Sequence, residues 1–143
     1  MTQWIRFEYE GAVGFGALSG DAIEVHQGDM FDAPTATGAR LRRDQVTTLT
    51  PTAPGKMVAL WNNSRAMAEK LGQVEPPEAL YFVKANGSYL PTEGIIRKPP
   101  SYDGKVVFEG ELGIVIGREC RAVAESDSAR HIFGYTCVND VTA

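Results

Sequence analysis

The stretch KVVFEGELGIVIG, residues 105–117, is the strongest strand signal in the chain. Valines, isoleucines and a phenylalanine dominate it, and successive side chains of a strand face opposite sides. Phe108, Leu112, Ile114 and Ile116 therefore share one apolar face with Gly110, while Glu109 and Glu111 share the other with Val107, Gly113 and Val115. Two carboxylates at i and i+2 lie about 7 Å apart at Cα and point the same way. In so apolar a strand the pair is costly, because like charges repel and desolvation disfavours both. A divalent cation removes that cost, and hard cations such as Mg²⁺ take carboxylate, water and substrate oxygens. Most Glu-x-Glu pairs on strands are simply the solvent face of an antiparallel sheet, so spacing alone leaves both readings open. Gly110, Gly113 and Gly117 favour a site, since glycine in a strand marks a bulge or a close approach. A third carboxylate, Asp140, follows Asn139 at the end of another apolar strand expected over Tyr135–Val138, where a β-scaffold presents side chains to a cleft.

Upstream, residues 3–26 read as a β-meander. Trp4, Ile5, Phe7 and Tyr9 lead to Gly11, a second strand runs from Ala12 to Leu18, and Ser19-Gly20-Asp21 turns into a third through Ile23 and Val25. Phe31–Thr48 is less regular and is expected to hold a short helix or strand. Thr50–Gly55 carries two prolines and a glycine, which neither element continues easily. The expected organisation is a small N-terminal β-domain over residues 1–50, a linker at 51–55 and a second domain over 56–143. In the latter, a strand from Lys56 to Leu60 precedes a helix capped by Asn62, Asn63 or Ser64 and stopped at Gly72. Ala79–Lys84 is a strand, Asn86-Gly87-Ser88 a turn, and Ser126 or Asp127 caps a short helix ending near Gly134. The class is α+β, mostly β.

The 143 residues are 43% apolar and 22% charged, enough for one ordinary core or for one small domain and part of another. A net charge of −4 leaves no basic footprint for nucleic acid. No apolar run is long enough to span a membrane. The N-terminus has no apolar signal core, so the default location is the cytoplasm, where Cys120 and Cys137 are expected as reduced, buried thiols. His26 reads as a surface turn residue, and His131 as a residue meeting the dipole at a helix C-terminus.

The blocks FEGELGIVIGR at 108–118 and FGYTCVNDVTA at 133–143 strongly resemble the fumarylacetoacetate hydrolase superfamily, whose pattern runs YEGELAVVIGR, then FGYT and NDVTARD. Tyr81-Phe-Val-Lys84 with Ser88 is similar to that family's FxK…S segment, and Ile95–Pro99 to its I-x-x-P stretch. The resemblance implies a mixed β-roll behind a small N-terminal β-domain, usually dimeric. It places the family's Mg²⁺ or Mn²⁺ ligands on Glu109, Glu111 and Asp140. Members act on 2-oxo acids and 1,3-dicarbonyl compounds, where a chelated cation stabilises an enolate as a Lewis acid.

Two departures matter. Hydrolytic members carry a histidine in a G-x-N-Y-x-x-H pattern that works with a glutamate as general base. Leu60–Glu69 contains no histidine, and Arg65 or Ala66 occupies the matching position. An arginine cannot serve as a base, but it can anchor a substrate carboxylate. Glu69 is the remaining candidate base and Lys84 a second candidate for the substrate carboxylate. Members also continue beyond NDVTA, so the chain is expected to be a fragment; a native stop codon after Ala143 would overturn this. The expected function is metal-dependent hydrolytic C–C cleavage of a 2,4-dioxo or related 2-oxo acid by a homodimer without nucleic-acid or membrane partners. The alternatives are a decarboxylase or isomerase of 2-oxo-enoic acids, and a non-catalytic relative that binds metal or small acids.

Overall fold

Residues 2–143 are described by a computed structural model. Strands β1 (Gln3–Tyr9), β2 (Ala12–Ser19), β3 (Ala22–Asp29), β4 (Asp32–Arg42) and β5 (Thr47–Thr48) form one antiparallel sheet in the order β4-β3-β2-β1-β5. The β1–β2 connection is a two-residue hairpin in which Glu10 and Gly11 both have positive φ (50° and 79°). That turn has the twist of the flanking strands, and glycine adopts it without a Cβ clash. Period-two burial follows the sequence: Ile5 and Phe7 of β1 pack with Ile23 of β3 to form the core, and Tyr9, Leu18, Val25, Leu41 and Val46 surround it. Of the short helix or strand expected within Phe31–Thr48, the strand is found, and it is long: the eleven residues of β4, followed by a 3-10 turn over Arg43–Gln45. One expectation is corrected in this sheet. His26 lies within β3 rather than in a turn, its Nδ1 2.9 Å from the Glu24 carbonyl oxygen and its ring edge-on to Trp4.

Beyond the proline-rich Thr50–Gly55 segment, β6 (Met57–Trp61) and β7 (Leu80–Lys84) pair antiparallel, with Met57 opposite Lys84. Helix α1 (Arg65–Lys70) lies between them in sequence. Its cap is Ser64, whose hydroxyl accepts from the Met67 amide, and Gly72 follows at φ 66°. Strands β8 (Gly110–Ile116) and β9 (Ile132–Asn139) form a second two-stranded ladder. The segment before β9 is a 3-10 helix, Glu125–His131, with Ala124 at its start and no side-chain cap, so neither Ser126 nor Asp127 caps it. His131 does lie in the last turn, as expected, with its Nδ1 buried and unpartnered.

The architecture is thus mostly β with short helices. Among the described residues, no helix is long and apolar enough to cross a membrane. The aromatic rings of Trp4, Phe31 and Phe133 join the five-stranded sheet to β9, with centroid separations of 6.4 Å and 4.8 Å from Phe133.

The face of β8 carrying Leu112, Ile114 and Ile116 is apolar but not covered: Leu112 is 68% exposed. Cys137 stands opposite Leu112 on that same face, so it is exposed rather than part of a core. Cys120 is exposed as well, and both thiols are free.

Candidate metal centre

The register of β8 against β9 decides which carboxylates meet. Gly110 lies opposite Asn139 and Glu111 opposite Val138, while Val107 bridges to Thr142. Glu109 is therefore directly across from Asp140, and the Asp140 amide donates to the Glu109 carbonyl at 2.9 Å. Glu109, Glu111 and Asp140 consequently share one face, although Glu109 precedes the regular strand and Asp140 follows its partner. Gly113 belongs to this face too. A Cβ there would stand 2.9 Å from side-chain methyls of Thr136 and Val138, so its role is to admit β9 side chains. Gly110 has open space instead, and a Cβ at Gly117 would meet Phe133 at 2.7 Å.

Like charges facing one another across a ladder repel. The carboxyl of Glu111 registers the crowding: it is held above its ordinary value first by desolvation, then by Asp140 and Glu109, with Lys84 opposing. Lys84, at the end of β7, reaches across to the hairpin and places its Nζ 2.6 Å from Oδ1 of Asp140. Both side chains are largely buried (24% and 13% exposed), and the Phe82 ring lies 4.9 Å from the same ammonium. A charge-assisted contact of this length is strong. Nothing in the sequence announces it, because the partners are 56 residues apart and belong to different sheets.

The donor chemistry, three carboxylates on one face, fits a hard divalent cation. Among the described residues, however, no three His, Cys, Asp or Glu side chains converge on one point as they stand. Asp140 is turned to Lys84 instead. Arg65 and Glu69 are not drawn into this group. Arg65, at the start of α1, pairs with Glu75 at 3.3 Å in an exposed position, and Glu69 is exposed on the same helix.

Comparison with known proteins extends these observations. Residues 56–143 match the family described as Fumarylacetoacetate (FAA) hydrolase C-terminal, and residues 2–51 the one described as Rv2993c-like, N-terminal. The chain is similar to Protein Rv2993c of Mycobacterium tuberculosis, at 35% identity over 113 residues, covering 79% of this chain and 42% of that protein. It is similar to the mitochondrial oxaloacetate tautomerase FAHD1 of Arabidopsis thaliana, at 39% identity over 88 residues, covering 62% of this chain and 39% of that one. The structure superposes on 5-carboxymethyl-2-hydroxymuconate delta-isomerase from Mycobacterium smegmatis with a TM-score of 0.82 and 31% identity, over 100% of this chain and 56% of that one. The chain spans well under two thirds of the length of each of these proteins.

Proposed function

Because the chain belongs to the fumarylacetoacetate hydrolase family, we propose that the protein works with a divalent cation on a 2-oxo acid and shifts a proton through the enolate, as an isomerase or tautomerase. The observation that carries this reading is the single-faced group of Glu109, Glu111 and Asp140, with the Glu111 carboxyl raised by desolvation and by its two neighbours. These three residues would hold Mg²⁺ or Mn²⁺, and the cation when bound supplies Lewis-acid stabilisation of negative charge on the enol oxygen. The pairing of β8 with β9 sets the three carboxylates on one face, and Lys84 brings a positive charge to Asp140. Two similar proteins support the choice of reaction by name, a tautomerase and a delta-isomerase. Both reactions move a proton between carbon positions or between carbon and oxygen, and break no C–C bond. This reading expects a homodimer.

Hydrolytic C–C cleavage of a 2,4-dioxo acid is the second reading, suggested by the description of the matched family, Fumarylacetoacetate (FAA) hydrolase C-terminal. It shares the enolate but adds a water that a base must activate. Leu60–Glu69 supplies no histidine for that, and Glu69 is exposed on α1 with Arg65 held by Glu75.

The test follows ultraviolet absorbance of enol-oxaloacetate and of an acylpyruvate, in Mg²⁺ and in chelator, for wild type and Glu109→Gln. The expected result is Mg²⁺-dependent ketonisation that falls roughly 100-fold in Glu109→Gln, the loss of about 2.7 kcal/mol of charge stabilisation. Equal turnover in chelator would sink the metal assignment. Release of pyruvate from the acylpyruvate without oxaloacetate ketonisation would replace the first reading by the second.

A further inference from the structure

We propose that Lys84 is a placeholder for the cation: it holds Asp140 until a divalent ion binds, and is then freed to take the carboxylate of the oxo acid. The inference rests on the metal-holding reading above and adds an order to it, cation before acid. Its ground is the position of the Lys84 ammonium, 2.6 Å from Oδ1 of an aspartate that stands directly across from Glu109 and near Glu111.

Three carboxylates against one ammonium leave two negative charges uncompensated on one face. A dication balances that remainder, but the three carboxylates do not converge on one point while Asp140 is turned to Lys84. To join Glu109 and Glu111 on a cation, Asp140 must turn from Lys84, and the dication then repels the ammonium, so Lys84 yields. Its exit is short. Lysine carries a compact charge on a flexible four-carbon stem, and the Phe82 ring, already 4.9 Å from Nζ in the ion pair, keeps the ammonium near the group when Asp140 turns away. There the free ammonium is a second cation, beside the dication, for an incoming carboxylate. The exchange forms and breaks only ion pairs and hydrogen bonds.

The experiment reads Lys84 directly in the wild-type protein by brief acetic anhydride labelling and peptide mass spectrometry. Three conditions are compared: chelator, Mg²⁺, and Mg²⁺ with oxalate, a stable dianion shaped like the acid end of a 2-oxo acid. Lys84 is expected to label slowly in chelator, about tenfold faster in Mg²⁺, and slowly again once oxalate is present. Labelling that Mg²⁺ leaves unchanged or lowers would overturn the exchange. A parallel titration follows free Mn²⁺ by electron paramagnetic resonance. Lys84→Gln is expected to bind Mn²⁺ several-fold more tightly than wild type, and its Mn²⁺ form to bind oxalate about tenfold more weakly. Weaker Mn²⁺ binding in Lys84→Gln would instead make Lys84 a support for Asp140 as a ligand. If wild type binds no Mn²⁺ at all, the metal reading itself fails. If Mn²⁺ binds and labelling does not rise, only the exchange fails. Should the variant not fold, the labelling of wild type decides alone.

Discussion

Glu111 stands where desolvation and two neighbouring carboxylates hold its carboxyl above the ordinary value near 4.5. Between the unfolded and folded values the native chain binds more protons than the unfolded one, so stability falls as pH rises through that window and stays lower above it. Glu111→Gln keeps the shape and removes the charge. In chelator, urea midpoints measured from pH 4 to pH 7 are expected to fall less steeply for the variant than for wild type. A variant as pH-sensitive as wild type would show that the slope comes from other groups. Asp44 illustrates the opposite sign, lowered by its hydrogen bond to the Arg42 guanidinium, but both side chains are exposed and the pair contributes little. At this scale the sequence shows Glu109 and Glu111 sharing a face, because a strand's side-chain period is two. That Asp140 faces Glu109 required the register, and that Lys84 closes on Asp140 required the packing of two separate ladders.

Strands hold their partners at fixed distances, and Gly16 shows how strictly. A Cβ at this buried position would stand 2.3 Å from the Glu24 carbonyl oxygen and 2.8 Å from Cγ2 of Ile23, so backbone must move. Gly16→Ala is expected to destabilise the five-stranded sheet by about 2–3 kcal/mol, within the range for overpacking, read as a lower guanidinium midpoint at unchanged slope. An unchanged midpoint would mean that β3 shifts freely, against the close fit of Ile23. Elements differ in how plainly their sequences announce them. The strands β1 and β2 carry alternating apolar residues between glycine turns, and α1 carries a serine cap and a glycine stop. By contrast β4, DAPTATGARLR, has a proline, a glycine and only Pro34 and Leu41 half-buried. It is a strand because its backbone pairs with β3, across two register shifts, and a backbone ladder leaves no side-chain signature. The alternation in residues 105–117 assigns the faces of β8 correctly but not their burial. The carboxylate face lies beside half-buried Gly113 and Val115, whereas Leu112, Ile114 and Ile116 are exposed. Period tells which residues share a face, and only the neighbouring elements tell which face is covered.

The molecule as a whole is unevenly packed, with its buried apolar cluster of Ile5, Phe7 and Ile23 lying in the five-stranded sheet. Among the described residues, two ties join β9 and its partner β8 to the other sheets, one near each end of β9. Phe133, near its start, sits against Trp4 and Phe31, and Asp140, just past its last residue, is held by Lys84. The first tie fixes the hairpin to the N-terminal sheet, the second to β7, and the carboxylate face lies by the second. Removing the Phe133 ring therefore separates two predictions. If the five-stranded sheet is stable through its own core, Phe133→Ala loosens β8 and β9 while the amides of Ile5 and Phe7 stay protected. A fully buried Phe→Ala change costs about 3–5 kcal/mol, and for this half-buried ring about 1–2 kcal/mol is expected. Amide exchange in β9 should then quicken about tenfold, since each 1.4 kcal/mol of opening energy is one decade. Exchange that quickens equally in β1 and β9 would mean that sheet and hairpin open as one unit, and the buried cluster could not be what stabilises the sheet.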